Sequence, residues 1–147
     1  MKTPLKIAFQ MDPVEAIQPK TDSTFLLAME AQRRGHQLFH YTPDNLRWDQ
    51  GKVRAWGHPM HIESLPNRTI ALGQEQDLDL STQDILFMRQ DPPFDMAYIT
   101  ATHLLDRLPP NVWVMNNPTS VRNAPEKLLP LQFAHLMPPT LLTRSLR

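Results

Sequence analysis

Apolar and polar positions along the chain fall into short blocks whose period changes. Residues 5–11 (LKIAFQM) form a β-type run that Asp12-Pro13 ends as a turn. Asp22 or Ser23 stands where a helix N-cap belongs. Phe25, Leu26 and Met29 then give way to polar Gln32 and Arg33 on a helix running to Arg34. Gly35 takes the position of a helix C-cap glycine, and residues 37–41 (QLFHY) read as a second strand. A strand, a helix and a strand within about 35 residues predict parallel pairing and a right-handed crossover.

Residues 42–80 break this rhythm. Two short runs flank Asp49-Gln50-Gly51-Lys52, a hairpin turn with Trp48 on one arm and Trp56 on the other. The two rings are expected to face each other and stabilise the sheet; an exposed pair would instead hint at a subunit interface. Extended pieces at 61–65 and 69–72 complete an antiparallel excursion. Alternation resumes with 84–89 (DILFMR), a near-continuous apolar run of the kind found in strands buried on both faces. Asp91-Pro92-Pro93-Phe94-Asp95 breaks it, and 96–108 predict a helix with Tyr98, Ile99, Thr102, Leu105 and Leu108 inward. Pro109-Pro110 stops the helix. Residues 112–115 (VWVM) read as the fourth core strand, closed by Asn116-Asn117-Pro118. A short helix is expected from Ser120, a second over 126–135 interrupted by Pro130, and a strand beginning at 140–143.

This order predicts an α/β fold: a small, doubly wound, mostly parallel sheet with an antiparallel hairpin insertion. The domain spans 1–123, with the insertion at about 42–80, and 124–147 form a connection leading out of it. Such sheets take ligands outside the carboxyl ends of their strands, at the switch point. Here those ends are Met11-Asp12-Pro13, residues 89–95 and Asn116-Asn117-Pro118.

Composition narrows the function. A length of 147 residues fits one domain. Fifteen Lys and Arg balance fifteen Asp and Glu, which argues against a nucleic-acid binder. No apolar stretch approaches the roughly 18–20 residues of a membrane helix, and the first residues lack a secretion-signal pattern. The expectation is a cytoplasmic protein that engages no membrane. Absence of cysteine removes disulfides, thiolate nucleophiles and Cys-type zinc sites. Fifteen prolines against four glycines mark stiff loops in a folded chain. Neither G-x-G-x-x-G nor G-x-x-x-x-G-K-[ST] occurs, so a self-sufficient Rossmann dehydrogenase or P-loop NTPase is excluded.

The candidate chemistry gathers at the strand ends. Arg89 can hold a carboxylate bidentately, or pair with Asp91 or Asp95 to lock its loop. Asp91 and Asp95 can bind an ammonium, although Asp95 also stands where the next helix needs a cap. Asp12 can orient an amine or close an Asx-turn before Pro13. Ser23 is expected as an N-cap, and with Thr24 it opens a helix start that favours an anionic group. Asn116 and Asn117 can hydrogen-bond a peptide or simply form the turn before Pro118. His58 and His61 lack a third metal ligand nearby, so no metal is assigned. Met11, Met29, Met88, Met96 and Met115 are read as core filler.

Several strings come in a fixed order: M-D-P at 11–13, K-x-D-S-T-F at 20–25, E-A-Q-R-R-G at 30–35, G-x-x-x-D-L at 73–78, M-R-Q-D-P-P-F-D at 88–95, and N-N-P-x-S-V-R-N at 116–123 followed by Glu126-Lys127-Leu128. Over nearly its whole length the chain resembles the N-terminal part of bacterial glutathione synthetases. M-R-Q-D-P-P-F-D is the most specific string. D-alanine–D-alanine ligases and glutamate-adding ATP-grasp ligases share the architecture but not these motifs. The resemblance implies a Rossmann-like pre-ATP-grasp domain of an enzyme that joins γ-glutamylcysteine to glycine through an acyl phosphate, with ATP and Mg2+ as cofactors.

It further implies that the ATP-grasp lid and the catalytic portion lie beyond residue 147, so no catalytic, cofactor-binding or metal residue is expected in this chain. Arg89, Asp91, Asp12, Ser23 and Asn117 are the implied substrate-binding set, and the full-length protein is implied to be a homo-oligomer. Pro125 and Pro130 depart from the family's usual helix around Glu126-Lys127-Leu128. Two alternatives stand beside this reading: a stand-alone binding or oligomerisation module of the same fold, and a sibling ATP-grasp peptide ligase.

Overall fold

The structure, a computed structural model, describes residues 3–63 and 69–145. Its elements follow in the order β1 (Lys6–Gln10), α1 (Ser23–Arg33), β2 (Gln37–Tyr41), β3 (Leu46–Asp49), β4 (Lys52–Glu63), β5 (Thr69–Leu72), β6 (Gln76–Asp79), β7 (Ile85–Met88), α2 (Met96–Leu105), β8 (Trp113–Met115) and α3 (Pro118–Asn123). The described strands form one sheet in the order β3-β4-β2-β1-β7-β8, with β5 and β6 also paired to β4. β1 runs parallel to β2 on one side and to β7 on the other, and β7 runs parallel to β8. The chain therefore leaves β1 through α1 in one direction and leaves β7 through α2 in the other. This is the doubly wound arrangement expected from the sequence, and its switch point lies between β1 and β7.

Two cores cover the two faces. Phe25, Ala28 and Ala31 of α1 pack on Ile7, Phe9, Leu38, Met60 and Ile62. On the other face Leu105 of α2 and Val112 meet Ala8, Tyr41, Val53, Ala55, Leu78, Leu86 and Met88. The period-2 alternation of β1 sends Ile7 and Phe9 one way and Ala8 the other, so this strand is buried on both faces. Complete burial of a side chain such as Phe9 or Leu86 contributes about 1.5–3 kcal/mol.

The insertion is built around β4, which is antiparallel to β3 and β6 along its first half and to β2 and β5 along its second. Val53 and Ala55 face the α2-side core, whereas Met60 and Ile62 face the α1-side core. The strand thus passes from one layer to the other near Gly57. A Cβ at Gly57 would lie 2.6 Å from the His40 carbonyl oxygen and 2.7 Å from Leu78 Cδ1, so the crossing admits only glycine. Gly35 follows α1 with a φ of 83°, as a C-cap glycine should.

Several expectations change. Trp48 pairs with Val53, and Trp56 with Asp77 on β6, so the two rings do not face each other. Arg47 instead lies over the Trp56 ring at 4.7 Å. Residues 61–63 belong to β4 rather than to a separate piece, and Ser64 and Leu65 of that expected strand lie outside the described residues. The helix expected over 96–108 ends at Leu105, because Asp106 caps it before the double proline. Residues 126–135 contain 3-10 turns over Leu129–Leu136, broken at Phe133, in place of an α-helix. Residues 140–143 form no strand, since nothing among the described residues pairs with them. Met29 and Met96 are exposed, so the expected methionine core reduces mainly to Met11 and Met88. His58 and His61 lie three residues apart on β4 and so point to opposite faces.

Candidate functional site at the strand ends

The carboxyl ends of β1 and β7 lie side by side, tied by a 2.7 Å bond from the Arg89 amide to the Gln10 carbonyl. Asp12 and Arg89 therefore occupy one edge of the sheet. Beneath them runs a buried polar chain. The Tyr41 hydroxyl donates to Gln10 Oε1 at 3.0 Å, and Gln10 Nε2 donates to Gln90 Oε1. Gln10 and Tyr41 are fully buried, and burial pushes the Tyr41 phenol well above its ordinary pKa.

Two corners of opposite character rest on this base. In the first, Arg89 Nη2 donates to Ser23 Oγ at 2.8 Å and Nε donates to Thr24 Oγ1 at 3.0 Å. Asp22, not Ser23, is the N-cap of α1, its carboxylate accepting from the Phe25 amide at 2.9 Å. Ser23 is the first helical residue, so its hydroxyl is free to receive Arg89. The guanidinium goes to the start of α1 and not to Asp91 or Asp95, and no bond to Nη1 is present among the described residues. A cation and a helix amino terminus together form an anion-favouring corner.

The second corner is acidic. Asp12 Oδ2 accepts from the Asp91 amide at 2.7 Å, which takes the place of the expected Asx-turn role. Asp12, Asp44, Asp91 and Asp95 line a cleft of about 180 Å3 with Gln90 and Tyr98. Asp95 caps α2, accepting from the Tyr98 amide at 3.0 Å. A neighbouring cleft of about 210 Å3 is lined by Phe94, Tyr98, Asn116, Val121 and Pro125. Asn117 does not line either cleft; its side chain caps α3 by accepting from the Ser120 amide at 2.9 Å.

Two residues near the clefts were not singled out by sequence. Tyr98 forms a wall common to both clefts and packs against Phe94 with ring centroids 5.1 Å apart. Burial raises its phenol pKa, with Arg89 lowering it and Asp91 raising it further, so both corners reach this ring. An aromatic three residues past a predicted cap was the available signal. His40 on β2 is only 4% exposed, and its Nε2 meets the Asp12 carbonyl oxygen at 3.2 Å. Its Nδ1 has no partner among the described residues, and burial lowers its pKa.

The acidic cleft does not suit a nucleotide. Four carboxylates and no Lys or Arg line it, so a triphosphate would be repelled. No three metal-ligating side chains converge among the described residues. No helix there is long and apolar enough to cross a membrane.

Fold and clefts together define a doubly wound α/β domain whose polar side chains converge at the switch point, where such sheets take ligands. Residues 5–122 match the family described as prokaryotic glutathione synthetase, N-terminal domain, and the chain belongs to that family. It is 50% identical over 141 residues to a glutathione synthetase of Mesorhizobium japonicum, covering 96% of this chain and 45% of the relative. A glutathione synthetase of Agrobacterium fabrum is 48% identical over 139 residues, covering 95% and 44%. That of Vibrio parahaemolyticus is 38% identical over 142 residues, covering 96% and 45%. The chain thus spans under half the length of these curated relatives.

Proposed function

We propose that this chain is the N-terminal part of a cytoplasmic, ATP-dependent C–N ligase that joins γ-glutamylcysteine to glycine through an acyl phosphate, and that its strand-end clefts hold the γ-glutamyl end of the dipeptide. The observation that carries this reading is the placement of two corners of opposite charge on one sheet edge. A γ-glutamyl group bears a carboxylate and an ammonium on the same carbon. Arg89, with Ser23 and the start of α1, suits the carboxylate. Asp12 and Asp91 suit the ammonium.

ATP and Mg2+, the ATP-grasp lid and the groups that bind glycine and carry out the chemical step are assigned to the part of the protein beyond this chain. The full-length ligase is taken to be a homo-oligomer. Steady-state kinetics of Asp12→Asn in the full-length ligase test the reading. Asn keeps an oxygen for the Asp91 amide and removes the charge. The KM for γ-glutamylcysteine should rise about tenfold, while those for glycine and ATP hold. An unchanged KM for γ-glutamylcysteine would sink the assignment.

A further inference from the structure

The buried polar chain beneath the two corners has a direction, and that direction sets what the acidic cleft offers a ligand. Tyr41 and Gln10 are fully buried. The Tyr41 hydroxyl has one hydrogen-bond partner among the described residues, Gln10 Oε1 at 3.0 Å. A buried O–H without an acceptor is costly, so the phenol proton goes to Gln10 and fixes which end of that amide is oxygen. Gln10 Nε2 is thereby turned away from Tyr41, and it donates to Gln90 Oε1. With its oxygen taken, Gln90 has its NH2 group left to offer. That group meets no acceptor among the described residues.

Gln90 is half-buried just past the carboxyl end of β7 and lines the acidic cleft with Asp12, Asp91 and Tyr98. Its neighbour Arg89 turns the other way, to Ser23 and Thr24 at the start of α1. Consecutive residues thus serve opposite sides of one sheet edge. Among four carboxylates, a neutral donor restricts its partner. An ammonium pairs with the carboxylates and not with an NH2, and a ligand carboxylate is repelled by them. The partner left is a neutral oxygen acceptor. A γ-glutamyl group carries one in the carbonyl oxygen of its γ-amide, two methylene groups beyond the carbon that bears the ammonium. We propose that Gln90 is a further substrate-binding residue whose Nε2 donates to the γ-amide carbonyl of the dipeptide. Gln10 and Tyr41 are then positioning residues that hold this donor toward the cleft. The inference rests on the substrate reading above and gives a partner to a ligand group which that reading left unassigned.

Steady-state kinetics and thermal melting of the full-length ligase test it. Gln90→Leu removes the donor, so the KM for γ-glutamylcysteine should rise about threefold to tenfold while those for glycine and ATP hold. Gln90→Glu keeps an oxygen for Gln10 but turns the donor into an acceptor, and its KM should rise at least as far. Gln10→Met fills similar space without polar atoms and releases the Gln90 amide. It should raise the same KM alone and add nothing in the Gln90→Leu background, whereas a purely structural Gln10 would lower the melting temperature and leave KM unmoved. The Gln90 variants decide the inference even if Gln10→Met does not fold. An unchanged KM in Gln90→Leu overturns it, as does a Gln90→Glu enzyme with the wild-type KM, or a Gln10→Met effect that adds in full to Gln90→Leu. Asp12→Asn measured alongside locates the failure. A raised KM there beside an unchanged Gln90→Leu sinks this inference alone, and an unchanged KM in both sinks the substrate reading with it.

Discussion

Replacing Arg89 by Lys in the full-length ligase separates a substrate contact from a structural prop. Arg89 donates to Ser23 Oγ and Thr24 Oγ1 through Nη2 and Nε, which fixes the plane of the guanidinium at the start of α1. That leaves Nη1 to meet a ligand carboxylate. Lys keeps the charge but not the flat five-donor fork, so it cannot hold both hydroxyls and the ligand in the same geometry. Losing one charge-assisted hydrogen bond costs about 1.5–3 kcal/mol, or roughly tenfold to hundredfold at about 1.4 kcal/mol per decade. The loss should appear in the KM for γ-glutamylcysteine, with the constants for glycine and ATP little changed. Two hydroxyl contacts on a half-buried side chain are a modest structural asset, so the melting temperature should fall by only a few degrees. A normal KM for γ-glutamylcysteine in a clearly destabilised protein would refute the argument and make Arg89 a clamp between β7 and α1.

Gly57→Ala should destabilise the chain by about 1–3 kcal/mol in urea denaturation, because its Cβ would collide with the His40 carbonyl and Leu78; an unchanged midpoint would mean that β4 can shift. Asp22→Ala should cost about 0.5–2 kcal/mol as a lost N-cap, whereas Ser23→Ala should leave denaturation nearly unchanged; equal losses would contradict the capping assignment. His40 is held below its ordinary pKa by burial, so the unfolded chain takes up the proton first as pH falls. Its contribution is therefore complete above about pH 6.5 and declines as the pH drops toward the lower folded pKa. Melting temperatures measured from pH 7.5 to 5.5 should fall less steeply in His40→Gln than in the wild type, and parallel slopes would count against this.

The parallel half of the fold was legible because its signals are local. The 84–89 run and the caps before α1 and α2 each depend on a few neighbouring residues. In the insertion the hairpin turn at Asp49-Gln50-Gly51-Lys52 and the strand at 69–72 were legible, but the course of β4 was not, because it changes the face it buries partway along and carries Pro59 inside it, so no single period describes it. Trp48 and Trp56 looked like partners because each lies on an arm of one turn. The register Leu46↔Ala55 leaves Trp56 beyond the end of β3, where β6 takes it. At the site, Asp12 and Arg89 could be located from strand ends alone. The contacts of Arg89 to Ser23 and Thr24 span more than sixty residues of chain and depend on how α1 seats against the sheet.

That change of face has a consequence for how the domain opens. Because one continuous strand lends side chains to both layers, neither layer can separate while the other keeps its packing. Local unfolding that spares one face is suppressed, and the domain should melt as one cooperative unit. The central amides of β4, hydrogen-bonded to neighbours on both sides, should then be among the slowest in the chain to exchange with solvent. A segment that interrupts the alternating pattern in sequence is the part that couples its two halves thermodynamically.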